Sequence, residues 1–102
     1  MVYGGYMESA QKIVFVWRGT INVTNWLEDF TYRQVDYKRC LSCKVHEGFY
    51  LSYLSVAHDF LNLYKQLRNL YPQAGVVMTG ASLGAALATI AALEVVAQIE
   101  KI

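Results

Sequence analysis

Residues 76–88 constrain this chain more than any other stretch, because they place a serine between two glycines where one structural pattern gives way to another. A β-branched run precedes Gly80, and an alanine-rich run that is typical of a helix follows Gly84. The Gly-x-Ser-x-Gly spacing predicts a sharp strand–turn–helix junction with Ser82 at its apex. We expect both glycines to lie where a Cβ would collide with the neighbouring strand or helix. The pattern indicates a nucleophile elbow, a strained turn that exposes a reactive serine hydroxyl.

The composition limits the classes of protein to which the chain can belong. It has 102 residues, enough for one small domain, and its net charge of +1 gives no electrostatic reason to expect nucleic-acid binding. Hydrophobic residues make up 55% of the chain, which is high because a domain of this size has little interior in which to bury them. Two explanations remain: the chain is part of a larger fold that covers its apolar faces, or it is a membrane protein.

The membrane explanation has one candidate segment, residues 76–99, which carries a single charge, Glu94, and is long enough to span a bilayer. Gly80, Ser82 and Gly84 lie in the first third of this segment and argue against a span. A strand followed by a buried helix accounts for the same residues, including the glycines. We therefore expect no transmembrane span.

Strand and helix patterns alternate along the chain and predict an α/β fold with a mostly parallel sheet. Residues 13–17 are a continuous apolar run, which predicts a strand buried on both faces, and residues 2–6 form a short strand or extended lead-in before it. Residues 29–37 predict a strand towards an edge of the sheet. Residues 46–71 carry an apolar repeat of 3.6 residues, which predicts one long helix that ends before Pro72.

A serine hydroxyl becomes a nucleophile when a histidine accepts its proton and a carboxylate orients that histidine. Hydrogen-bond donors must also stabilise the oxyanion that forms in the transition state. In an elbow the first donor is the backbone N–H after the serine, here Leu83, and the second comes from the loop after an earlier strand. We assign this second donor to the backbone N–H of Thr20. Arg18 is predicted to form an ion pair that holds the same loop.

Four motifs, in this order, cover most of the chain: residues 15–20 (FVWRGT), 25–30 (NWLEDF), 45–50 (VHEGFY) and 79–88 (TGASLGAALA). Together they resemble the class 3, fungal-type triacylglycerol lipases of the α/β-hydrolase fold. The resemblance implies that Ser82 is the catalytic nucleophile and that the backbone amides of Thr20 and Leu83 form the oxyanion hole.

The resemblance also implies that residues 21–27 form a surface lid. Val23, Trp26 and Leu27 share one face if this segment is helical, because their spacing is i, i+3, i+4. Such an apolar face indicates a lipid–water interface and esters of long acyl chains as substrates. Trp26 could instead be an ordinary core residue. The resemblance implies neither a metal nor a cofactor.

The chain departs from the family pattern in three respects. Ala81 stands where the family usually has a histidine that is not part of the triad. The triad aspartate and histidine of the family lie downstream of the elbow helix, and the family has a helical region at its N-terminus. We therefore expect residues 1–102 to be a single partial fungal lipase-like α/β-hydrolase domain without its N- and C-terminal parts. His46 and His58 are the only histidines, and we expect His46 to be structural and His58 to be solvated.

The sequence predicts a carboxylic ester hydrolase, a triacylglycerol lipase of lipid metabolism that works through an acyl-enzyme. Two alternatives stay open: a non-catalytic fragment that binds lipid or a partner, and a hydrolase of soluble esters similar to feruloyl esterases. Cys40 and Cys43 form a lone C-x-x-C, which favours a local disulfide or two free thiols over a metal site. Oxidation of this pair would favour a secreted or endomembrane location.

Overall fold

The computed structural model describes residues 1–18 and 34–100, and within these ranges it confirms the predicted alternation of strands and helices. In chain order the elements are β1 (Val2–Met7), β2 (Lys12–Trp17), β3 (Gln34–Asp36), β4 (Lys44–His46), α1 (Glu47–Leu54), α2 (Ala57–Leu70), β5 (Gly75–Gly80) and α3 (Leu83–Val95), and a π-helical turn (Val96–Glu100) follows α3.

The main sheet of the described residues has three strands in the order β1-β2-β5. β2 and β5 are parallel, and their register places Val16 opposite Thr79 and Trp17 opposite Gly80. β1 runs antiparallel to β2 and adds an edge strand, so the predicted lead-in at residues 2–6 is a strand and the sheet is mixed. The parallel pair brings the end of β2 next to the end of β5, where the serine elbow begins.

The core lies on one face of this sheet, and β2 contributes to it with alternate residues. Ile13, Phe15 and Trp17 are buried and pack against residues from all three helices, whereas Val16 points to the opposite face and is 43% exposed. The prediction that this strand is buried on both faces is therefore wrong for the described residues. The physical reason is that α1, α2 and α3 all contribute to one core cluster on the same side of the sheet.

Aromatic rings make up the centre of this core. The Phe15 ring centroid lies 5.2 Å from that of Phe60 and 5.6 Å from that of Tyr64. The Trp17 centroid lies 4.8 Å from Phe60 and 5.9 Å from Tyr53. These ring contacts hold α1 and α2 against β2.

The long helix predicted for residues 46–71 is two helices, α1 and α2, so that prediction is wrong in its continuity. Val56 leaves the helical region with φ −121° and ψ 3°. The Ser55 hydroxyl donates to the carbonyl of Ser52 at 2.7 Å, which offers the backbone an alternative to the helical ladder. Val56 is β-branched and fits the break better than a helix interior. The apolar repeat still identifies the buried residues Tyr53, Phe60 and Tyr64.

β3 and β4 form a separate antiparallel pair, with Val35 opposite Val45. The predicted strand at residues 29–37 is confirmed only for Gln34–Asp36, and residues 29–33 lie outside the described ranges. The loop between β3 and β4 contains a disulfide between Cys40 and Cys43, one of the two states that the sequence left open.

α3 and the turn after it form the one described helix, Leu83–Glu100, that is long and apolar enough to cross a membrane, with a mean hydropathy of 1.6. The core helix of a globular domain meets the same criteria, and 44% of this helix is buried inside the protein. The absence of a transmembrane span therefore stays a prediction.

Candidate active site

Ser82 lies at the turn between β5 and α3 in a backbone conformation that residues other than glycine rarely adopt. Its φ is 55° and its ψ is −122°. Such conformations cost about 1–3 kcal/mol, and they persist where the surrounding structure imposes them. The residue is exposed, and its side chain makes no capping hydrogen bond to α3. The strand–turn–helix junction predicted from the sequence is therefore present, with the serine at its apex.

Gly80 is required because the first turn of α3 passes directly over it. A Cβ on Gly80 would lie 2.5 Å from the carbonyl carbon and oxygen of Gly84 and 2.8 Å from the carbonyl oxygen of Trp17. All three atoms belong to the backbone, so no side chain can move to make room. The expectation that a Cβ would collide with the neighbouring strand or helix is confirmed for Gly80, and for Gly84 it stays a prediction.

Leu83 is the first residue of α3, and the first amides of a helix have no partner within it. The next two amides of the helix bond to carbonyls of the turn: Gly84 N–H donates to Ala81 O at 2.9 Å, and Ala85 N–H donates to Ser82 O at 3.0 Å. The positive end of the helix dipole therefore lies next to Ser82. An anion that forms on a group bound at the serine would be stabilised there.

The chain leaves β2 at Arg18 beside the elbow, because Trp17 and Gly80 are paired in the parallel register. Arg18 is exposed and held by its backbone: its N–H donates to Met1 O at 2.8 Å, and its carbonyl accepts from the N-terminal ammonium at 3.1 Å. Ion pairs between described residues join Arg39 to Glu94, Lys44 to Asp36 and Arg68 to Glu100, so Arg18 takes part in none of these. Its predicted ion pair stays a prediction.

Four of the predicted site residues lie outside the described residues. They are the second oxyanion donor, Thr20, and the three lid residues, Val23, Trp26 and Leu27. Of the predicted site residues, Ser82 and Leu83 are therefore placed next to each other. The chain that leads to the predicted oxyanion loop is described as far as Arg18.

The two histidines of the chain lie at α1 and α2. His46 is the N-cap of α1, and its Nδ1 accepts a hydrogen bond from the backbone N–H of Phe49 at 3.3 Å. His58 is exposed on α2, and its Nε2 lies 3.2 Å from the side-chain nitrogen of Asn62. The predictions of a structural His46 and a solvated His58 are confirmed. In the described part of the chain no group of three or more His, Cys, Asp or Glu side chains is placed to hold a metal ion.

The carboxylate of Glu94 on α3 is buried, 2% exposed, and its partners were not predicted from the sequence. The Tyr37 hydroxyl and Arg39 Nε each donate to Glu94 Oε2 at 2.7 Å, and Arg39 Nη2 donates to Oε1 at 3.3 Å. Gln98 donates to Oε1 at 3.3 Å from the next turn. The signal was present in the sequence, because a single charge in an apolar helix is rarely buried without a partner. The partner itself could not be read from a loop so distant in sequence.

Burial by itself would raise the pKa of Glu94, and it is the largest single influence on this carboxyl. The hydrogen bonds from Arg39 and Tyr37, with the charges of Arg39 and Lys38, together outweigh burial and lower the pKa below 4.5. Burial and the neighbouring carboxylate raise the pKa of the Tyr37 hydroxyl. The cluster therefore holds an ionised carboxylate against a neutral tyrosine and a cationic arginine at neutral pH.

A family model described as lipase (class 3) matches residues 14–101. The chain belongs to the class 3 lipase family. Among curated proteins, the lipase of Rhizomucor miehei is 36% identical over 87 residues, which cover 85% of this chain and 24% of that protein. Secreted mono- and diacylglycerol lipase 1 of Fusarium solani is 37% identical over 92 residues, which cover 87% of this chain and 28% of that protein.

Solved lipase structures share the same fold. Lipase II from Rhizopus niveus superposes with a TM-score of 0.93 at 29% identity, covering 99% of this chain and 38% of that chain. The triacylglyceride lipase of Rhizomucor miehei superposes with a TM-score of 0.91 at 31% identity, with the same two coverages. The predicted partial α/β-hydrolase fold is therefore confirmed. The chain spans about a quarter of the length of the curated lipases that it matches.

The elbow geometry of this class 3 lipase chain predicts that Ser82→Gly stabilises it. Glycine adopts φ 55° without a Cβ penalty, so relief of strain should raise the free energy of unfolding by about 1 kcal/mol. Urea unfolding followed by the fluorescence of the buried Trp17 measures the change. Ser55→Gly is the matched control, because Ser55 has an ordinary helical φ of −63° and the same substitution there should lower stability. A Ser82→Gly variant that is less stable than the wild type would contradict a strained elbow.

Proposed function

We propose that this chain carries the nucleophile of a carboxylic ester hydrolase, a triacylglycerol lipase that acts in lipid metabolism. The observation that supports this most strongly is the exposed Ser82 with φ 55° at a strand–helix elbow. The serine oxygen attacks the ester carbonyl, the alcohol leaves, and water hydrolyses the acyl-enzyme. No metal or cofactor enters these steps.

The backbone amides of Leu83 and Thr20 are the proposed oxyanion hole. Leu83 supports its part of the proposal because its N–H is at the first position of α3, next to the serine. Thr20 is assigned from the sequence, two residues after the point where Arg18 passes the elbow. Together they would stabilise the negative oxygen of the tetrahedral intermediate. Each such donor contributes a few kcal/mol in serine hydrolases, about 3 in one measured case.

The proton acceptor and its orienting carboxylate are proposed to come from parts of the lipase fold beyond the quarter that this chain spans. The support is that His46 caps α1 and that His58 lies exposed on α2. Residues 1–102 are accordingly proposed to be one partial domain, which contributes the nucleophile and the oxyanion donors.

The proposed substrates are long-chain acyl esters at a lipid–water interface. Val23, Trp26 and Leu27 would form the apolar face of a lid over the site, as the family resemblance implies. Solved and curated relatives carry names such as triacylglyceride lipase and mono- and diacylglycerol lipase. A secreted or endomembrane location is proposed for the protein. It is supported by the Cys40–Cys43 disulfide and by the word secreted in the name of the Fusarium solani relative.

Labelling by a fluorophosphonate tests the role of Ser82. The 102-residue chain alone should label weakly or not at all, because the proposed proton acceptor and its orienting carboxylate are not among these residues. A chimera in which this chain replaces the matching portion of the Rhizopus niveus lipase should label and hydrolyse esters. Ser82→Ala should abolish labelling of the chimera, and Ser55→Ala, at another exposed serine, should leave it unchanged. Labelling that survives Ser82→Ala would overturn the proposal.

The same chimera distinguishes a lipase from a hydrolase of soluble esters. A lipase should prefer long acyl chains and show higher activity once the substrate forms aggregates. Equal activity on short and long chains, with no response to aggregation, would contradict the lipid part of the proposal and leave an esterase that acts on soluble substrates.

The second candidate function is a non-catalytic fragment that binds lipid or a partner. The observation that favours it is the apolar outer face of the sheet, where Val16 is 43% and Val77 is 40% exposed. A chimera that folds but neither labels nor hydrolyses esters would favour this candidate over the enzyme.

A further inference from the structure

The loop between β3 and β4 has features that ester hydrolysis does not use. It is closed by the Cys40–Cys43 disulfide, it is exposed, and Leu41 at its tip is 97% exposed. Ser42 has φ 64°, a left-handed conformation that favours glycine. An open concavity of about 680 Å³ is lined by residues 36–44, which include both cysteines, so a small reagent can approach the pair.

The same loop supplies both strong donors to the buried carboxylate of Glu94. Tyr37 Oη and Arg39 Nε each lie 2.7 Å from Glu94 Oε2. Glu94 belongs to α3, the helix that begins immediately after Ser82. The loop is therefore connected to the candidate nucleophile through a single helix.

Tyr37 is hydrogen-bonded to both cysteines of the disulfide, and Arg39 is next to one of them in the chain. Tyr37 N–H donates to the carbonyl of Cys43 at 2.9 Å, and Cys40 N–H donates to the carbonyl of Tyr37 at 3.4 Å. Arg39 directly precedes Cys40 in the chain. The closed loop thus fixes the backbone from which Tyr37 and Arg39 reach Glu94, and it reduces the entropy lost when their side chains are ordered.

We propose that the Cys40–Cys43 disulfide is a site of thiol–disulfide exchange whose reduction releases Tyr37 and Arg39 from Glu94 and loosens α3. This proposal does not depend on ester hydrolysis. It assigns the pair a second role besides closing the loop, namely control of the helix that follows Ser82.

The exchange takes a dithiol as reductant. One thiolate of the dithiol attacks a sulfur of the pair and forms a mixed disulfide, and the other cysteine leaves as a thiolate. The second thiol of the reagent then displaces the attached cysteine. Two electrons and two protons pass to Cys40 and Cys43, which become thiols, and the reagent becomes a disulfide. Lys38 and Arg39 lie next to the pair in sequence, and nearby cations stabilise a leaving thiolate.

Hydrogen exchange of the α3 amides, measured on the 102-residue chain by mass spectrometry, tests the proposal. Exchange of peptides that cover residues 83–95 should become about tenfold faster on reduction with dithiothreitol, because the helix opens more often. A tenfold change in the opening equilibrium corresponds to about 1.4 kcal/mol. In Arg39→Met the same reduction should accelerate the exchange clearly less than in the wild type, because only the hydrogen bond from Tyr37 still joins the loop to Glu94. Arg68→Met is the matched control: it removes the arginine–glutamate pair Arg68–Glu100, in the turn that follows α3, and should keep the full response.

The double variant Cys40→Ser/Cys43→Ser should exchange like the reduced wild type and should not respond to dithiothreitol. If Arg39→Met does not fold, Tyr37→Phe takes its place, since it removes one hydrogen bond and no charge. Reduction that leaves α3 exchange unchanged would overturn the proposal. An equal acceleration in the wild type and in Arg39→Met would also overturn it, because the disulfide would then act only by closing its own loop.

Discussion

Gly80→Ala is expected to lower the free energy of unfolding by about 3 kcal/mol, since overpacking against atoms that cannot repack is among the more costly core changes. The added Cβ would lie 2.5 Å from the backbone of Gly84 and 2.8 Å from that of Trp17. Either α3 must move away from β5, or β2 and β5 must separate. Urea unfolding followed by Trp17 fluorescence measures the loss directly, because Trp17 is buried beside this contact.

Gly5→Ala is the matched control, as a Cβ on Gly5 meets no atom within 4 Å. It should change stability by less than about 0.5 kcal/mol, as surface substitutions usually do. Gly75→Ala is a second comparison within β5. Its Cβ would meet the flexible side chain of Lys12, which can move, whereas the Cβ on Gly80 would meet backbone. If Gly80→Ala proved as harmless as Gly5→Ala, the close approach of α3 to β5 would be wrong, and with it the physical reason for a glycine before the serine.

The elbow could be predicted from the sequence because its causes are local. A glycine that admits a helix backbone, a serine at the apex and an apolar helix are all neighbours in the chain, so their spacing carries the geometry. The parallel pairing of β2 and β5 follows from the pattern in the same way. The burial of Ile13, Phe15 and Trp17 was also predictable, whereas the exposure of Val16 depends on what covers the second face of the sheet.

The break between α1 and α2 could not be predicted, because neither proline nor glycine marks it. The Ser55 hydroxyl and the β-branched Val56 are each tolerated within helices, and the aromatic repeat continues through the break. The apolar repeat therefore predicted the buried residues correctly, but it wrongly predicted one continuous helix.

Part of the candidate site can be predicted from the spacing of neighbouring residues, and part of it cannot. Ser82 and the Leu83 amide are adjacent in the chain, so the motif predicts both. Thr20 was assigned from the loop that follows an earlier strand and the lid residues from the family resemblance, and all four residues lie outside the described ranges. The proton acceptor is proposed to come from another part of the fold, and no local pattern reveals such a partner.

Glu94 illustrates the same limit, since its partners come from a loop more distant in sequence than any pattern can connect. Arg39→Met should lower the free energy of unfolding by about 3 kcal/mol at pH 7, because it leaves a buried carboxylate without its cation. The matched control is Lys44→Met, which breaks the exposed Lys44–Asp36 pair and should cause no measurable loss. Urea unfolding at pH 7 compares the two variants.

The pH dependence separates a charge effect from a packing effect. In the wild type the pKa of Glu94 lies below 4.5, so its stabilising contribution is complete above that pH and is lost as the pH falls through the lowered value. Without Arg39, burial, which is the largest single influence, is opposed by the hydrogen bond from Tyr37 and the charge of Lys38, so we expect the pKa of Glu94 to rise from its lowered wild-type value. Protonation then relieves the unpaired charge, so the deficit of Arg39→Met should be largest at pH 7 and shrink towards pH 4.

A second substitution isolates the carboxylate itself. Glu94→Gln removes the charge while it keeps the shape of the side chain, so it should make Arg39→Met less costly at pH 7. The double variant should also lose the pH dependence described above. A deficit of Arg39→Met that is equal at pH 4 and pH 7, with or without Glu94→Gln, would show that Arg39 contributes through its packed methylenes and not through its charge. The predicted result would instead establish that an ionised carboxylate at neutral pH attaches the β3–β4 loop to the helix that follows Ser82.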